Sequence, residues 1–492
     1  MGFTHRVKKN RLNISLKIAS NQHEHYGFWY NIHIRIEVYN MKKIVVELSD
    51  ERLITPSGLA LVGGALAKSD LVKRANRMTV DKKRSQPQIK NGDIFLTYIG
   101  LLCQGKPQFE AVKELHEDPE YFKAALGISY GIPSAETLRQ RMDSIGSSRR
   151  EDILASNVTM FKSIGEVPSS LKAGYIPVDL DVTPFDNSKT SKEGVSRTYK
   201  GYDGYAPMMA YIGTEGYAIN AELRQGKQHC QNGTPRFLKE TLNLSHQLTD
   251  QPLLIRMDSG NDAAENLGIL LEDGSWYVVK RNMRRGETKE GWLEKVKGCC
   301  KDIREPREGK TVYVGSSWKD VAYVDSRGEK QSICMRIVYE VIERTIDKHG
   351  QILLVPDIEV NSWWTNLGWS DDEIIDQYHA HGESEQYHSE IKTDMDVERL
   401  PSGKFETNEL VLELTILAYN VLRIIGQNSL RSKNAPRTKR PVKRRRLRTV
   451  ISNLILIAGH VTTHARRTIL SLGRSNLWRH VFMDLYSRLV TA

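Results

Sequence analysis

Apolar positions along this chain change rhythm twice, from helical spacing to strand-like runs and back to helical spacing. The segment Asp93-Ile-Phe-Leu-Thr-Tyr-Ile-Gly-Leu-Leu102 predicts an apolar helix, and Phe109 through His116 a second. After Gly131-Ile-Pro133, Ser134 can cap a third helix, whose Leu138, Met142 and Ile145 recur at i, i+4 and i+7. From about residue 172 the pattern turns to strands. Tyr175-Ile-Pro-Val-Asp-Leu-Asp181 is one, and 207–213 with 217–223 form a hairpin. A helix from Thr234 to about Leu248 precedes the apolar strand Pro252-Leu-Leu-Ile-Arg-Met257, which ends at Asp258. Strand-like runs at Trp276, Thr311, Met335 and Ile352 make residues 275–369 a β-rich inserted module. Helices resume at Ser370, Leu410 through Ile425 reads as core, and the apolar run 450–458 reads as a buried helix.

Composition adds a partner to this outline. With 492 residues and 39% hydrophobic content the chain can bury a large core and should divide into several domains. A net charge of +11 favours a polyanionic partner. Much of it lies in Arg437-Thr-Lys-Arg-Pro-Val-Lys-Arg-Arg-Arg-Leu-Arg448, a run that repels itself unless it lies against phosphates, so Lys443, Arg444, Arg445 and Arg446 are expected to bind DNA. The outer side of the helix after Ser134 carries Thr137, Arg139, Gln140 and Arg141, like a recognition helix that presents Arg139 and Arg141 to base edges. An ordinary amphipathic helix accounts for that pattern equally well. Five cysteines without a CxxC pair imply free thiols in a reducing cytoplasm and argue against zinc. No run reaches the roughly 20 apolar residues of a membrane span, so no membrane partner is expected. The first 40 residues lack a signal-peptide core, and Met41-Lys-Lys-Ile-Val-Val-Glu-Leu48 looks like a natural start followed by a strand. Residues 1–40 are accordingly expected to be a non-native or disordered extension.

The candidate chemistry centres on Tyr378 through Lys392. At about 100° per residue, Tyr378, His381, Glu385 and Lys392 fall within one helical stripe roughly 60° wide. An aromatic, an imidazole, an acid and an amine on one face suit a metal-bound phosphate, and Glu385 is the acid of interest. Asp181 and Asp258 each stand at a strand end, where ligand chemistry in α/β sheets collects. Each acid alone is more often a turn, cap or surface residue. Three carboxylates from distant segments can instead bridge two Mg²⁺ ions roughly 3.5–4 Å apart, with Lys392 and His381 holding DNA phosphates. Asp179 competes with Asp181 for the first position, because strand alternation puts both on one side.

These residues resemble the DDE transposases of bacterial insertion sequences. The group in question carries Tyr-x2-Arg-x3-Glu-x6-Lys around its third acid, matched by Tyr378, His381, Glu385 and Lys392. The resemblance takes in Val178–Thr183, Gly201–Pro207, Leu223–Gly226, Arg256–Gly260 and Trp364–Leu367, and spans roughly residues 80–490. It favours Asp181, since Asp-x-Thr matches the family pattern. It implies an α/β fold with an RNase H-like core. A mainly helical DNA-binding region (41–165) would precede the core (166–274 and 370–430), which is split by the β insertion (275–369) and followed by a basic helical region (431–492). It further implies catalytic and metal-binding roles for Asp181, Asp258 and Glu385, with Mg²⁺ as cofactor and Mn²⁺ able to substitute. The expected activity is cleavage at terminal inverted repeats of double-stranded DNA and transfer into a target, by a homodimer in the bacterial cytoplasm at the nucleoid. Tyr378 would serve at the DNA. Trp363 or Trp364 could stack on a displaced base, although burial as packing is the commoner use of tryptophan. The departure is His381, where the family has arginine; a change to arginine is expected to leave activity intact or raise it. A catalytically impaired DNA-binding relic or repressor, or a host nuclease of the same fold, is the alternative.

Overall fold

The computed structural model describes residues 13–15, 35–37, 46, 48–78, 88–146, 149–437, 440, 442–465 and 467–490. The chain divides into two units, Met1–Glu51 and Arg52–Ala492. In the first, Asn13–Ser15 pairs antiparallel with Arg35–Glu37. The expected extension and the expected strand at Met41–Leu48 otherwise lie outside the described residues, save Val46 and Leu48, which are not in a strand.

The second unit is built on a nine-stranded mixed sheet. Its strands are β1 (Ile176–Val182), β2 (Met208–Ile212), β3 (Tyr217–Glu222), β4 (Leu253–Met257), β5 (Trp276–Lys280), β6 (Asp302–Arg307), β7 (Lys310–Val324), β8 (Lys330–Ile346) and β9 (Ile352–Thr365). They lie in the order β6-β7-β8-β9-β5-β4-β1-β2-β3. Only β4 is parallel to its neighbours, β1 on one side and β5 on the other; every other pairing is antiparallel. β4 and the first five residues of β1 are buried without alternation, as strands covered on both faces must be. This is a mixed α/β fold, consistent with the expected RNase H-like core.

Several features differ from the sequence-based outline. Trp276–Lys280, expected to open the insertion, is a central strand paired with β4. The inserted strands do not stand apart from the core, because β9 pairs with β5 through Thr365↔Val278 and Trp363↔Lys280 and so extends the same sheet. The insertion also contains a helix, Lys289–Cys299, capped by the Thr288 side chain and burying Trp292, Leu293 and Val296. The C-terminal region, expected to be helical, holds an antiparallel hairpin of Gly459–His464 and Arg467–Leu472 that pairs with Leu53–Ile54. Val461, Thr462, Thr463, Thr468 and Ile469 are β-branched, and that strand preference overrides the helical expectation there. The run from 450 is helical only to Ile455, its last turn being a π-helix.

Helices precede the sheet. Among them Asn91–Leu102 is wholly buried, and Ala135–Ile145 buries Leu138, Met142 and Ile145 with Ser134 accepting from the Thr137 N–H. Phe109–His116 is a 3-10 helix. The 27-residue helix Phe405–Arg431 is buried along most of its length and packs on β3, on Asn91–Leu102 and on Arg150–Ile164. Asn420, halfway along it, accepts from the Ala218 N–H at 2.9 Å and donates to the Ala218 carbonyl at 2.6 Å. It thereby satisfies strand backbone where the β2–β3 register shifts.

Candidate active site

The register of the central strands decides where the acids go. β1 and β4 pair in parallel through Arg256↔Asp179 and Met257↔Leu180. Asp258 directly follows Met257, and continuing this register would bring it level with Asp181 at the shared carboxyl end of strands about 4.8 Å apart. Asp179 is one pleat back and is already committed. Arg256 donates to both of its carboxylate oxygens, Nε to Oδ1 at 2.6 Å and Nη2 to Oδ2 at 2.7 Å. His381 Nδ1 lies 2.9 Å from the same Oδ1. Burial raises the Asp179 pKa, but the Arg256 charge and the His381 contact outweigh it and hold the carboxyl below its ordinary value. Asp181 is the freer of the two, with a side chain 24% exposed. Its Oδ1 accepts from the Val182 N–H at 2.7 Å, and its Oδ2 lies 3.2 Å from His388 Nε2. Burial again pushes this carboxyl up, and His388 more than reverses it, so Asp181 too is held below its ordinary value.

Over these strand ends lies one continuous helical segment. It starts as Asp371–Ala380 behind a capping box of Ser370 and Glu373, tightens to a 3-10 turn at His381–Glu383, resumes as Ser384–Ser389, and widens to a π turn at Glu390–Asp394. Tyr378 donates its hydroxyl to Asp258 Oδ1 at 2.9 Å, and its pKa is raised by burial and by the Asp258 charge. Lys392 Nζ donates to the Pro184 carbonyl at 2.5 Å, just past β1, and burial lowers its pKa. Glu385 is exposed and lines a separate cavity of about 590 Å³ with Gly382, Gln386, Ser389, Lys443, Arg444 and Arg446. Among the described residues no group of three or more His, Cys, Asp or Glu side chains is gathered closely enough to hold a metal ion. The donor chemistry nevertheless suits a hard cation, since Asp181 and Asp258 offer carboxylate oxygens where two neighbouring central strands end and Glu385 is a third carboxylate on the covering segment.

Several expected DNA contacts are corrected. His381 is 6% exposed and turned onto Asp179, so it is a core partner rather than a phosphate ligand. Trp363 and Trp364 are buried at 1% and 2%, and the Trp364 indole N–H donates to Asp262 Oδ1 at 2.9 Å, which leaves neither face for a base. Arg141 donates to the Ile89 carbonyl and to Asn91 Oδ1, so it braces the helical region. Arg139 is exposed but paired with Glu136 along its own helix. The basic run does not trail as an extended tail. Lys443 pairs with Glu383 at 3.1 Å, Arg444 donates to Gln386 Oε1 at 2.6 Å and lies over the Tyr387 ring, and Arg446 donates twice to Asp394. Arg445 is buried and donates to Ser429 Oγ at 2.7 Å. Residues 438, 439 and 441 of the run lie outside the described residues.

The sequence reading undervalued Arg256, His388, Tyr211 and Tyr199. An arginine inside the apolar run Leu-Leu-Ile-Arg-Met signals a buried counter-charge, which Asp179 on the next strand supplies. Tyr199 is exposed, with its hydroxyl 3.4 Å from the Val182 carbonyl next to Asp181.

A mixed sheet with carboxylates where adjacent parallel strands end is an α/β arrangement in which ligand chemistry collects at the carboxyl ends of the strands. The comparisons name the family. The model for "Transposase DDE domain group 1" matches residues 36–492, so the chain belongs to the DDE transposase family and is a DNA transposase. No curated protein matches the chain. A cryo-EM structure of a piggyBac transposase synaptic complex with hairpin DNA is similar at a TM-score of 0.37 and 12% identity, over 81% of this chain and 78% of that one, a likeness too distant to carry any argument. Among the described residues no helix is long and apolar enough to cross a membrane.

Proposed function

We propose that this transposase mobilises a bacterial insertion sequence, cutting double-stranded DNA at terminal inverted repeats and joining the ends to a target in the cytoplasm, as a homodimer that holds both ends. Asp181, Asp258 and Glu385 are its catalytic carboxylates. The observation that carries the reading is the parallel β1–β4 register, Met257↔Leu180, which supports a pairing of the next residues, Asp258 and Asp181, beneath the segment bearing Glu385.

DDE transposases use divalent metal ions, and Mg²⁺, with Mn²⁺ able to substitute, is the cation proposed here. When bound between these carboxylates it would lower the pKa of the attacking water or 3′-hydroxyl and stabilise the leaving oxygen. The protein's own groups do the rest. Asp181 and Asp258 are presented where two parallel strands end, and Tyr378 holds the second of them. Lys392, directed at the turn after β1, neutralises phosphate charge beside the site. Lys443 and Arg444, whose partners lie at the surface, exchange Glu383 and Gln386 for DNA phosphates when DNA arrives. Arg139 contributes a further phosphate contact from the helical region.

The test is incubation with DNA carrying the ends that bracket the reading frame. Nicking that needs Mg²⁺ or Mn²⁺, stops with EDTA and is lost in Asp181→Ala and Asp258→Ala is the expected result. Metal-independent nicking, or full activity in either variant, would refute the assignment.

A further inference from the structure

Asp181 is gripped from the helical segment that bears Glu385. His388, three residues beyond Glu385 and 4% exposed, brings Nε2 to 3.2 Å from Asp181 Oδ2. Its other nitrogen, Nδ1, lies 3.0 Å from the hydroxyl of Tyr211, a β2 residue 1% exposed. A carboxylate can only accept, so Nε2 must carry the proton that joins it to Asp181. With both ring nitrogens engaged the imidazole cannot flip or rotate. Tyr211 meets the His388 ring edge-on at a centroid distance of 5.3 Å, which adds a packing restraint.

That restraint matters because an aspartate at a strand end has a soft terminal torsion. The Val182 N–H fixes one carboxylate oxygen and His388 the other, so the plane of the carboxylate is set from two sides. We infer that His388, held by Tyr211, is a positioning residue for Asp181, so that docking of the Glu385 segment orients the first acid for its cation. The inference rests on the proposed role of Asp181 as a cation ligand. Partners one shell out from a metal typically change its affinity by 10–100-fold when removed.

Binding of Mn²⁺ to the full chain, followed by the EPR signal of free Mn²⁺, reads this without any turnover. His388→Phe should weaken binding by about tenfold or more, and Tyr211→Phe should weaken it by less. His388→Gln, whose amide N–H reaches to nearly the same point, should recover most of the affinity. Wild-type affinity in His388→Phe, or equal weakening in the Phe and Gln variants, would overturn the inference. Should His388→Phe fail to fold, Tyr211→Phe decides, and wild-type affinity there is equally contrary. Asp181→Asn separates the two levels. If it abolishes binding while His388→Phe binds as wild type, the positioning role alone falls; if it binds as wild type, the reading beneath it falls.

Discussion

Asp179, Arg256 and His381 form a buried trio directly behind the candidate site, with side chains only 4%, 4% and 8% exposed. Removing one member of a buried pair leaves an uncompensated charge, a loss of roughly 3–5 kcal/mol. Asp179→Asn should therefore lower the urea midpoint by a corresponding amount; an unchanged midpoint would mean that Arg256 finds another anion. His381→Arg, which the family pattern alone suggests as a repair, is now expected to do harm. It would crowd a larger cation against Arg256 in a filled space, where overpacking alone costs about 1–3 kcal/mol. A lower unfolding temperature, with no gain in DNA cleavage, is the result to look for. The pH dependence has a definite sign. Burial opposes the charged form of His381, but the Asp179 contact wins and its pKa is raised. Its contribution is then complete below the unfolded value of about 6.5 and is lost as pH rises through the higher folded value. The stability difference between wild type and His381→Gln should shrink from pH 6 to pH 9, as thermal melts at each pH would show. Asp179, whose pKa is depressed, keeps its contribution above about 3.9 and loses it only in stronger acid.

The segment from Tyr378 to Lys392 explains both how much of the site the sequence disclosed and where it stopped. Uniform helical rotation put Tyr378, His381, Glu385 and Lys392 on one face. In the structure Tyr378, His381 and Lys392 do turn toward the strand ends, reaching Asp258, Asp179 and Pro184. The 3-10 and π turns change the pitch within that stretch, and Asp181 is met by His388 rather than by Glu385. Such pitch changes leave little trace in residue spacing. All but one of the strands of the sheet were legible because apolar runs bounded by turn residues mark them individually; β6, Asp302–Arg307, is exposed throughout and has no such run. Their pairing was not, since nothing in Trp276–Lys280 distinguishes a central strand from an inserted one. Trp363 and Trp364 illustrate the cost of that gap. They belong to β9 where it joins β5, so replacing either by alanine should remove about 3–5 kcal/mol of stability. Chemical denaturation tests this; unchanged stability with a selective loss of DNA binding would restore the base-stacking role.

Across the second unit, the basic segment is fastened to the end of the Glu385 segment. Arg446 donates twice to the Asp394 carboxylate, whose side chain is fully buried, and the Leu447 and Arg448 N–H groups donate to Glu390 and Asp394. Glu390 is in turn paired with the buried Arg423 of Phe405–Arg431. Arg445 and Arg446 are thus tied into the fold, and among residues 443–446 the charge left for DNA is at Lys443 and Arg444. Lys443→Ala and Arg444→Ala should each weaken DNA binding across sequences and lower the salt slope by about 1, whereas Arg446→Ala should first destabilise the fold. Filter binding over a salt series, with melting temperatures alongside, separates these outcomes. In the proposed chemistry three carboxylates from strands and helix act together on DNA, and Glu385 is the member that stands apart in this structure. Single-turnover nicking of end-bearing DNA in Mg²⁺ by Glu385→Gln tests it most directly. Loss of nicking with DNA affinity retained is the expected outcome, and nicking at the wild-type rate would contradict the account.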